Sequence, residues 1–346
     1  MKLGIIGLSM CGKNTLFEAL TKTASAAESR MENRMASVRV PDIRIDTLSG
    51  MYQPKKTTYA VIDYFLPGRG VSPDEKNREQ SVWNKVRDSD ALIHVVRNFE
   101  GGGFGPPDPA ADFRKLDEEL IFADLVVADK RLERLEADLK KNRKIDTAEH
   151  ELVKECKAVL DAGRPLRRHP DLASAPLLRG FTFLSAKPVL AVLNSADQGD
   201  CSAAGFESTT GERGLVIRGK VERELIQMPE ADAKEFLAEY GITESAMTVV
   251  IRESYSLLGL MSFFTVGEDE VRAWTIRTGT KAVDAAEAIH SDIKKGFIRA
   301  EVVSYADLTA AGSHAEARKK GQVRLEGKEY VMQDGDVVEF RFNVGK

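Results

Sequence analysis

The chain opens on a nearly unbroken apolar run, KLGIIGL, which gives way to a glycine-containing turn and then to NTLFEALTKT. In that last stretch Leu16, Phe17 and Leu20 recur at helical spacing. Strand, Gly-rich turn and helix together are the opening of an α/β unit. TTYAVIDYF (Thr57 to Phe65), DALIHVVRNF (Asp90 to Phe99) and PVLAVLN (Pro188 to Asn194) predict three more strands. Strands this apolar, separated by helices, predict a parallel-rich sheet covered on both faces.

A different pattern fills residues 112–181. Leu125, Ala128, Leu132, Leu135 and Leu139 alternate steps of three and four, the seam of a coiled coil. KKNRKID is a polar turn, after which Val153, Cys156 and Leu160 resume the spacing. This predicts an antiparallel helical hairpin inserted into the α/β domain, leaving 1–111 and 182–262 as its two halves. From about Phe263 the pattern changes again. EVRAWTIRTG is strand-like, AVDAAEAIHSDIKKG helical, and KEYVMQDGDVVEFRFNV carries an Asp334-Gly335 turn. Residues 263–346 therefore read as a compact α+β module.

Composition narrows the class. The 346 residues are 42% hydrophobic and 30% charged, as in a globular protein, and the formal net charge of −4 argues against nonspecific nucleic-acid binding by the chain as a whole. No apolar run reaches the length of a membrane span, and the immediate entry into KLGIIGL predicts no signal peptide. Cys11, Cys156 and Cys201 are far apart and lack metal-ligand spacing, which suits a reducing cytoplasm.

The chemistry concentrates at the first turn. Gly7, Gly12 and Lys13 stand at the spacing G-x-x-x-x-G-K between a strand and a helix. Such a loop turns its backbone N–H groups on phosphate oxygens, aided by the helix dipole, while the lysine reaches the β- and γ-phosphates. The candidate phosphate-binding residues are Gly7, Ser9, Met10, Cys11, Gly12, Lys13, Asn14 and Thr15. The residue after the lysine is ordinarily Ser or Thr, whose hydroxyl ligates Mg²⁺. Asn14 offers only a neutral amide oxygen on a longer stem, so weakened Mg²⁺ coordination is expected. Cys11 admits two readings: a thiol activated by the helix N-terminus, or a small apolar residue packed under the loop.

Along nearly its whole length the chain resembles the YchF-type branch of the Obg-like P-loop GTPases. The segments that carry the resemblance are GIIGLSMCGKNTLFEALTK, VPDIRIDTLSGMYQPKKTT, DALIHVVRNFE, LDEELIFADL, FTFLSAKPVLAVLN, EVRAWTIRTGTKAVDAAEAIHSDIKKGFIRAE and GKEYVMQDGDVVEFRFNV. The resemblance implies a G domain of the P-loop NTPase fold, a helical arm, and a C-terminal β-grasp module of the TGS type. It also implies GTP or ATP with Mg²⁺, and ribosomes or RNA as partners through the arm and the TGS domain. Arg272 and Arg299 are candidate contacts there.

The sequence departs from the family pattern at the loop and its surroundings. Asn14 replaces the family's serine. SRMENRMASVRVPD lacks the switch threonine. After Asp63, which stands where the family's D-x-x-G aspartate holds Mg²⁺ through water, Leu66 occupies the glycine position. EGGGFGPPDPAAD lacks the family's histidine. Together these predict weak or lost hydrolysis, since phosphoryl transfer depends on positioning and charge stabilisation. For the base, Asn194-Ser195-Ala196-Asp197 stands at the family's N-x-x-E, and Asp197 offers a guanine-type acceptor. VIRGKVERELIQM resembles the segment closing the base pocket, with Gly219 and Lys220 nearest the nucleotide. Three functions remain open: a nucleotide-binding protein with little hydrolysis, an active NTPase with a rebuilt site, and an interaction module.

Overall fold

A computed structural model describes residues 1–23, 32–68, 82–101, 105–197, 202–239 and 244–343. Cys201, the start of SRMENRMASVRVPD and residues 102–104 of EGGGFGPPDPAAD lie outside these residues. Twelve strands among the described residues form two six-stranded sheets. In chain order they are β1 (Lys2–Ile6), β2 (Arg34–Arg39), β3 (Lys56–Thr58), β4 (Val61–Leu66), β5 (Ala91–Asn98), β6 (Val189–Ser195), β7 (Gly214–Ile217), β8 (Leu260–Thr265), β9 (Glu270–Arg277), β10 (Phe297–Ser304), β11 (Arg324–Glu326) and β12 (Asp336–Phe342). The first sheet runs β2-β4-β1-β5-β6-β7 and the second β11-β10-β12-β8-β9-β3.

The chain divides into two units, Met1–Ser37 with Asp63–Val250, and Val38–Ile62 with Ile251–Lys346. The division differs from the sequence boundaries at two places: the second unit takes in residues 251–262 as well as 38–62. Residues 38–62, read as part of the nucleotide domain, pack with the C-terminal segment. TTYAVIDYF, read as one strand, is two. Lys56–Thr58 pairs in parallel with β9 (Lys56 opposite Glu270), whereas Val61–Leu66 pairs with β1.

In the first unit, β1, β5 and β6 are buried nearly throughout, and β4–β1–β5–β6–β7 are joined by parallel pairing. The continuous apolar runs are what such two-face burial requires. The arm forms as its heptads predict. Helix Pro109–Lys140 starts on the Asp108 cap, with Pro109 in its first turn, and helix Thr147–Asp161 starts on the Asp146 cap. Ala128, Leu132, Val153, Cys156 and Leu160 are buried between them, and Arg131 forms a two-pronged ion pair with Glu149 at 2.7 and 2.8 Å. Leu139, the last residue of the stripe, is exposed.

The base of the arm is tied down by one carboxylate. Asp124, fully buried, accepts hydrogen bonds from the backbone N–H of Leu184 (2.9 Å) and Ser185 (2.7 Å) and from Arg87 Nη1 (3.0 Å). Burial holds its pKa above the ordinary carboxylate value, and these donors offset only part of that rise.

In the second unit, β8 and β9 form a hairpin, β10 pairs antiparallel with β11 and β12, and helix Ala282–Ile289 covers the apolar face. The helix predicted over AVDAAEAIHSDIKKG breaks at His290, which caps a second helix, Ser291–Lys295. Arg44, on helix Ile43–Tyr52, bonds Asp42 and Asp334 and lies 5.2 Å over the Phe264 ring. That network holds residues 38–62 onto the second sheet. The Asp334-Gly335 turn is present: Gly335 has φ 91° and Asp334 accepts from the Ser262 N–H at 3.0 Å.

Removing the Asp124 carboxylate strands two buried N–H groups and takes the counter-ion from Arg87, which keeps only the Thr182 and Ala123 carbonyls. Asp124→Ala should lower the stability of the first unit by about 3–5 kcal/mol, against less than about 0.5 kcal/mol for the exposed Asp161→Ala. Urea unfolding followed by Trp83 in a Trp274→Phe background reads the first unit alone, because the chain has two tryptophans, one in each unit.

Candidate nucleotide site

The loop after β1 is shaped by three left-handed backbone positions: Gly7 (φ 154°), Met10 (φ 65°) and Gly12 (φ 103°). At Gly7 the close approach is as decisive as the dihedral, since a Cβ there would lie 2.4 Å from the Val95 carbonyl oxygen. Ser9 and Met10 are exposed at the loop crest. Helix Lys13–Thr21 follows directly, with no side chain capping its N-terminus and no acid in its first turn. Such an uncapped terminus presents its N–H groups and its dipole to an anion.

Lys13 Nζ donates to the carbonyls of Gly7 (2.7 Å) and Leu8 (2.6 Å), so the ammonium spans the loop it is expected to serve. The Asn194 side chain, at the end of β6, locks the loop from below. Its Nδ2 donates to the Cys11 carbonyl (3.1 Å), and its Oδ1 accepts from the Gly219 N–H (3.1 Å). A Cβ would lie 2.2 Å from that amide nitrogen at Gly12 and 2.6 Å from its oxygen at Gly219. Thr15 turns its methyl toward Gly219.

These elements enclose a cavity of about 650 Å³. Gly12, Lys13, Asn14 and Thr15 line one side, and Asn194, Ser195, Ala196, Asp197 and Lys220 another. Of the sequence-predicted residues, Met10, Gly12, Lys13, Asn14, Thr15, Asn194, Asp197 and Lys220 line this one space, whereas Gly7, Ser9, Cys11 and Gly219 do not. Asp197 lies 3.3 Å from Lys220 Nζ, and Ser195 Oγ accepts from Asn98 Nδ2 at 2.8 Å. Four cationic side chains (Lys13, Arg97, Lys220, Arg223) face two carboxylates (Glu100, Asp197) in the lining, a field that favours a polyanion.

Arg97 and Arg223 went unread in the sequence. Arg97 was legible as a charge ending an otherwise apolar strand, and Arg223 as the residue one helical turn beyond Gly219. Arg97 donates to the carbonyls of Phe99 (3.2 Å) and Gly105 (3.1 Å), shaping the loop after β5.

Two expectations are corrected. Asp63 does not reach the loop. Parallel pairing sets Lys2 opposite Asp63 and Gly4 opposite Phe65, so the strand meets the loop region only from Leu66 onward. The Asp63 carboxylate instead accepts from Ser37 Oγ (2.5 Å) and lies 3.8 Å from the N-terminal ammonium. Leu66 and Pro67 line the cavity in its stead. The activated-thiol reading of Cys11 also fails. The side chain is 1% exposed, and burial raises its pKa against the lowering influence of Lys13. It packs under the loop, and a Cβ on Gly7 would lie 2.6 Å from its sulfur.

Comparison with known proteins agrees with this architecture. A family model, YchF-GTPase_C, described as "Protein of unknown function (DUF933)", matches residues 260–343. The chain is 37% identical to the ribosome-binding ATPase YchF of Bacillus subtilis over 99% of both chains. It is 34% identical to Obg-like ATPase 1 of Oryza sativa subsp. japonica, over 99% of this chain and 92% of that one. The solved Schizosaccharomyces pombe YchF GTPase superposes with a TM-score of 0.82 at 28% identity, covering 99% of this chain and 97% of that one. The chain belongs to the YchF-type Obg-like family.

A P-loop ATPase or GTPase family implies a nucleotide with Mg²⁺. The residues present do not fit the metal. The Asn14 carboxamide oxygen accepts a hydrogen bond from Arg34 Nη2, and Asp63 faces Ser37. Among the described residues no group of three or more His, Cys, Asp or Glu is placed to hold a metal.

One further buried group belongs to this YchF-family core. His94, on β5 opposite Ile6, is stacked on Phe113 with ring centroids 4.6 Å apart. Its Nε2 has no hydrogen-bond partner among the described residues. Burial first, then Arg167 and Lys13, push its pKa down to about 3. As pH falls below about 6.5, the unfolded chain binds a proton that the folded one refuses. Stability is therefore complete above that pH and declines toward about 3, by up to about 1.4 kcal/mol per pH unit. His94→Leu should remove this contribution. The check is the slope of unfolding free energy against pH between the two values, which should be shallower in the variant by up to that amount.

Proposed function

We propose that this chain binds a purine nucleoside triphosphate, GTP or ATP, at the Gly7–Thr15 loop, hydrolyses it slowly or not at all, and works on the ribosome. The observation that carries the reading is the contrast between the two walls of the cavity. On one wall the loop is clamped by Asn194 and leads into an uncapped helix N-terminus beside Lys13. On the other, the segment that should offer an amide to the γ-phosphate has little to give. Pro67 has no N–H, and the Gly68 N–H donates to Asn33 Oδ1 at 3.0 Å.

The base would sit toward Asp197, Gly219 and Lys220. With both ends of the Asn194 carboxamide engaged by the backbone, Asp197 is the acceptor that remains for a guanine edge, and a base would compete with Lys220 for it. The Bacillus subtilis relative's name supports ribosome binding. The arm and the C-terminal unit are the docking elements in this reading. Arg272 is stacked 3.9 Å over Trp274, whereas Arg299 is exposed and is the better contact. No helix among the described residues is long and apolar enough to cross a membrane.

Phosphate release from GTP and from ATP, with and without ribosomes, tests the reading. A rate of about 10⁻³ s⁻¹ or slower in every arm is expected, near that of an unassisted P-loop GTPase. Ribosome-stimulated turnover of about 1 s⁻¹ or more would establish the second reading, a rebuilt catalytic site, which the relatives named ATPases favour.

A further inference from the structure

The mismatch between the loop and Mg²⁺ has a positive counterpart in Arg34, at the start of β2. Its guanidinium touches three residues of helix Lys13–Thr21. Nη2 donates to Asn14 Oδ1, Nη1 lies 3.8 Å from Glu18 Oε1, and the guanidinium carbon stands 4.9 Å over the Phe17 ring. Positions 14, 17 and 18 are spaced i, i+3 and i+4 and so share one helix face. A hydrogen-bond acceptor, a carboxylate and an aromatic face are the three partners that suit a planar, delocalised cation. The Arg34 and Glu18 side chains are 12% and 10% exposed, so this is a seat within the structure and not a surface pair.

The place of this seat gives it meaning. In P-loop proteins the oxygen of the residue after the lysine binds the divalent cation that bridges the β- and γ-phosphates. Here that oxygen belongs to Asn14, which lines the cavity, and it is bonded to a guanidinium. A carboxamide reaches farther than a serine hydroxyl, and its oxygen accepts from a guanidinium N–H without loss of a proton. A metal ion and a guanidinium on one neutral oxygen would repel each other. Arg34 cannot dissociate into solvent as a metal can, and it stays charged at any pH of interest.

We propose that Arg34 takes the place of magnesium in this chain: a nucleoside triphosphate is bound without a metal, its charge balanced by Lys13 and the Asn14–Arg34 pair. This rests on the nucleotide-binding reading above and adds to it the form of the ligand, the metal-free triphosphate. The paired changes are coupled, because Asn14 without Arg34 is a poor metal ligand, and Arg34 without Asn14 loses its acceptor beside the cavity.

The test is equilibrium binding of GTP and ATP to the full-length protein in excess MgCl₂ and in excess EDTA. For the wild type the dissociation constants in the two conditions should agree within about threefold, a difference of under 1 kcal/mol. Arg34→Met should weaken binding about tenfold or more in both conditions, the loss of one charge-assisted contact. Asn14→Ser combined with Arg34→Met should bind better in MgCl₂ than in EDTA by about tenfold or more. Wild-type affinity that collapses in EDTA would overturn the inference while leaving nucleotide binding intact, and that arm needs no variant to fold. Unchanged affinity in Arg34→Met would overturn it as well. Absence of binding in every arm would remove the nucleotide reading and this inference together.

Discussion

The candidate site depends on one buried carboxamide. Asn194 is the joint between three stretches of chain: the loop at Cys11, 183 residues away, the end of its own strand, and the helix start at Gly219, 25 residues on. The joint works because Gly12 and Gly219 leave room for it, and any side chain at either would collide with the amide. Each bond contributes about 1 kcal/mol net. Losing the side chain would strand a buried carbonyl and a buried N–H, at about 1–3 kcal/mol each. The loop at Cys11 and the helix start at Gly219 are thereby held to one side chain.

With the grip fixed from below, charge decides what it holds. Four of the six charged side chains lining the cavity are cationic, and they come from three separate stretches of chain: the start of helix Lys13–Thr21, β5 and the helix starting at Gly219. Arg34 extends that set to the position where related loops place a metal. The β4 side contributes the reverse, an apolar and amide-poor edge of Leu66 and Pro67. Binding and hydrolysis make different demands. Binding needs a static field and a shaped backbone, whereas hydrolysis needs groups aimed at one water and one phosphorus atom.

Much of this was legible in sequence, and the reason it stops is physical. KLGIIGL, DALIHVVRNF and PVLAVLN announced buried strands because a strand covered on both faces has to be apolar throughout, and the arm's heptads announced a hairpin. Spacing picked out Gly12 and Lys13, and the family resemblance Asn194, all of which line one cavity. Register was not legible. Asp63 follows an apolar run at the expected distance, but pairing with Lys2 puts it at the far end of the strand from the loop. Nor was the break at Tyr59–Ala60 readable, since Lys56–Thr58 finds its partner in Glu270–Arg272. Arg34 stood in a stretch notable in sequence only for lacking a threonine, and its contact with Asn14 spans 20 residues of chain.

The most direct test of the account is the nucleotide affinity of Asn194→Ala beside that of the wild type, each checked for intact folding by the near-ultraviolet signal of its tryptophans. If Asn194 shapes the phosphate grip, the wild type binds GTP or ATP with a dissociation constant near micromolar or tighter, and the variant binds at least about tenfold more weakly. Equal affinity in the two proteins would contradict the account, because the loop would then hold its form without the joint.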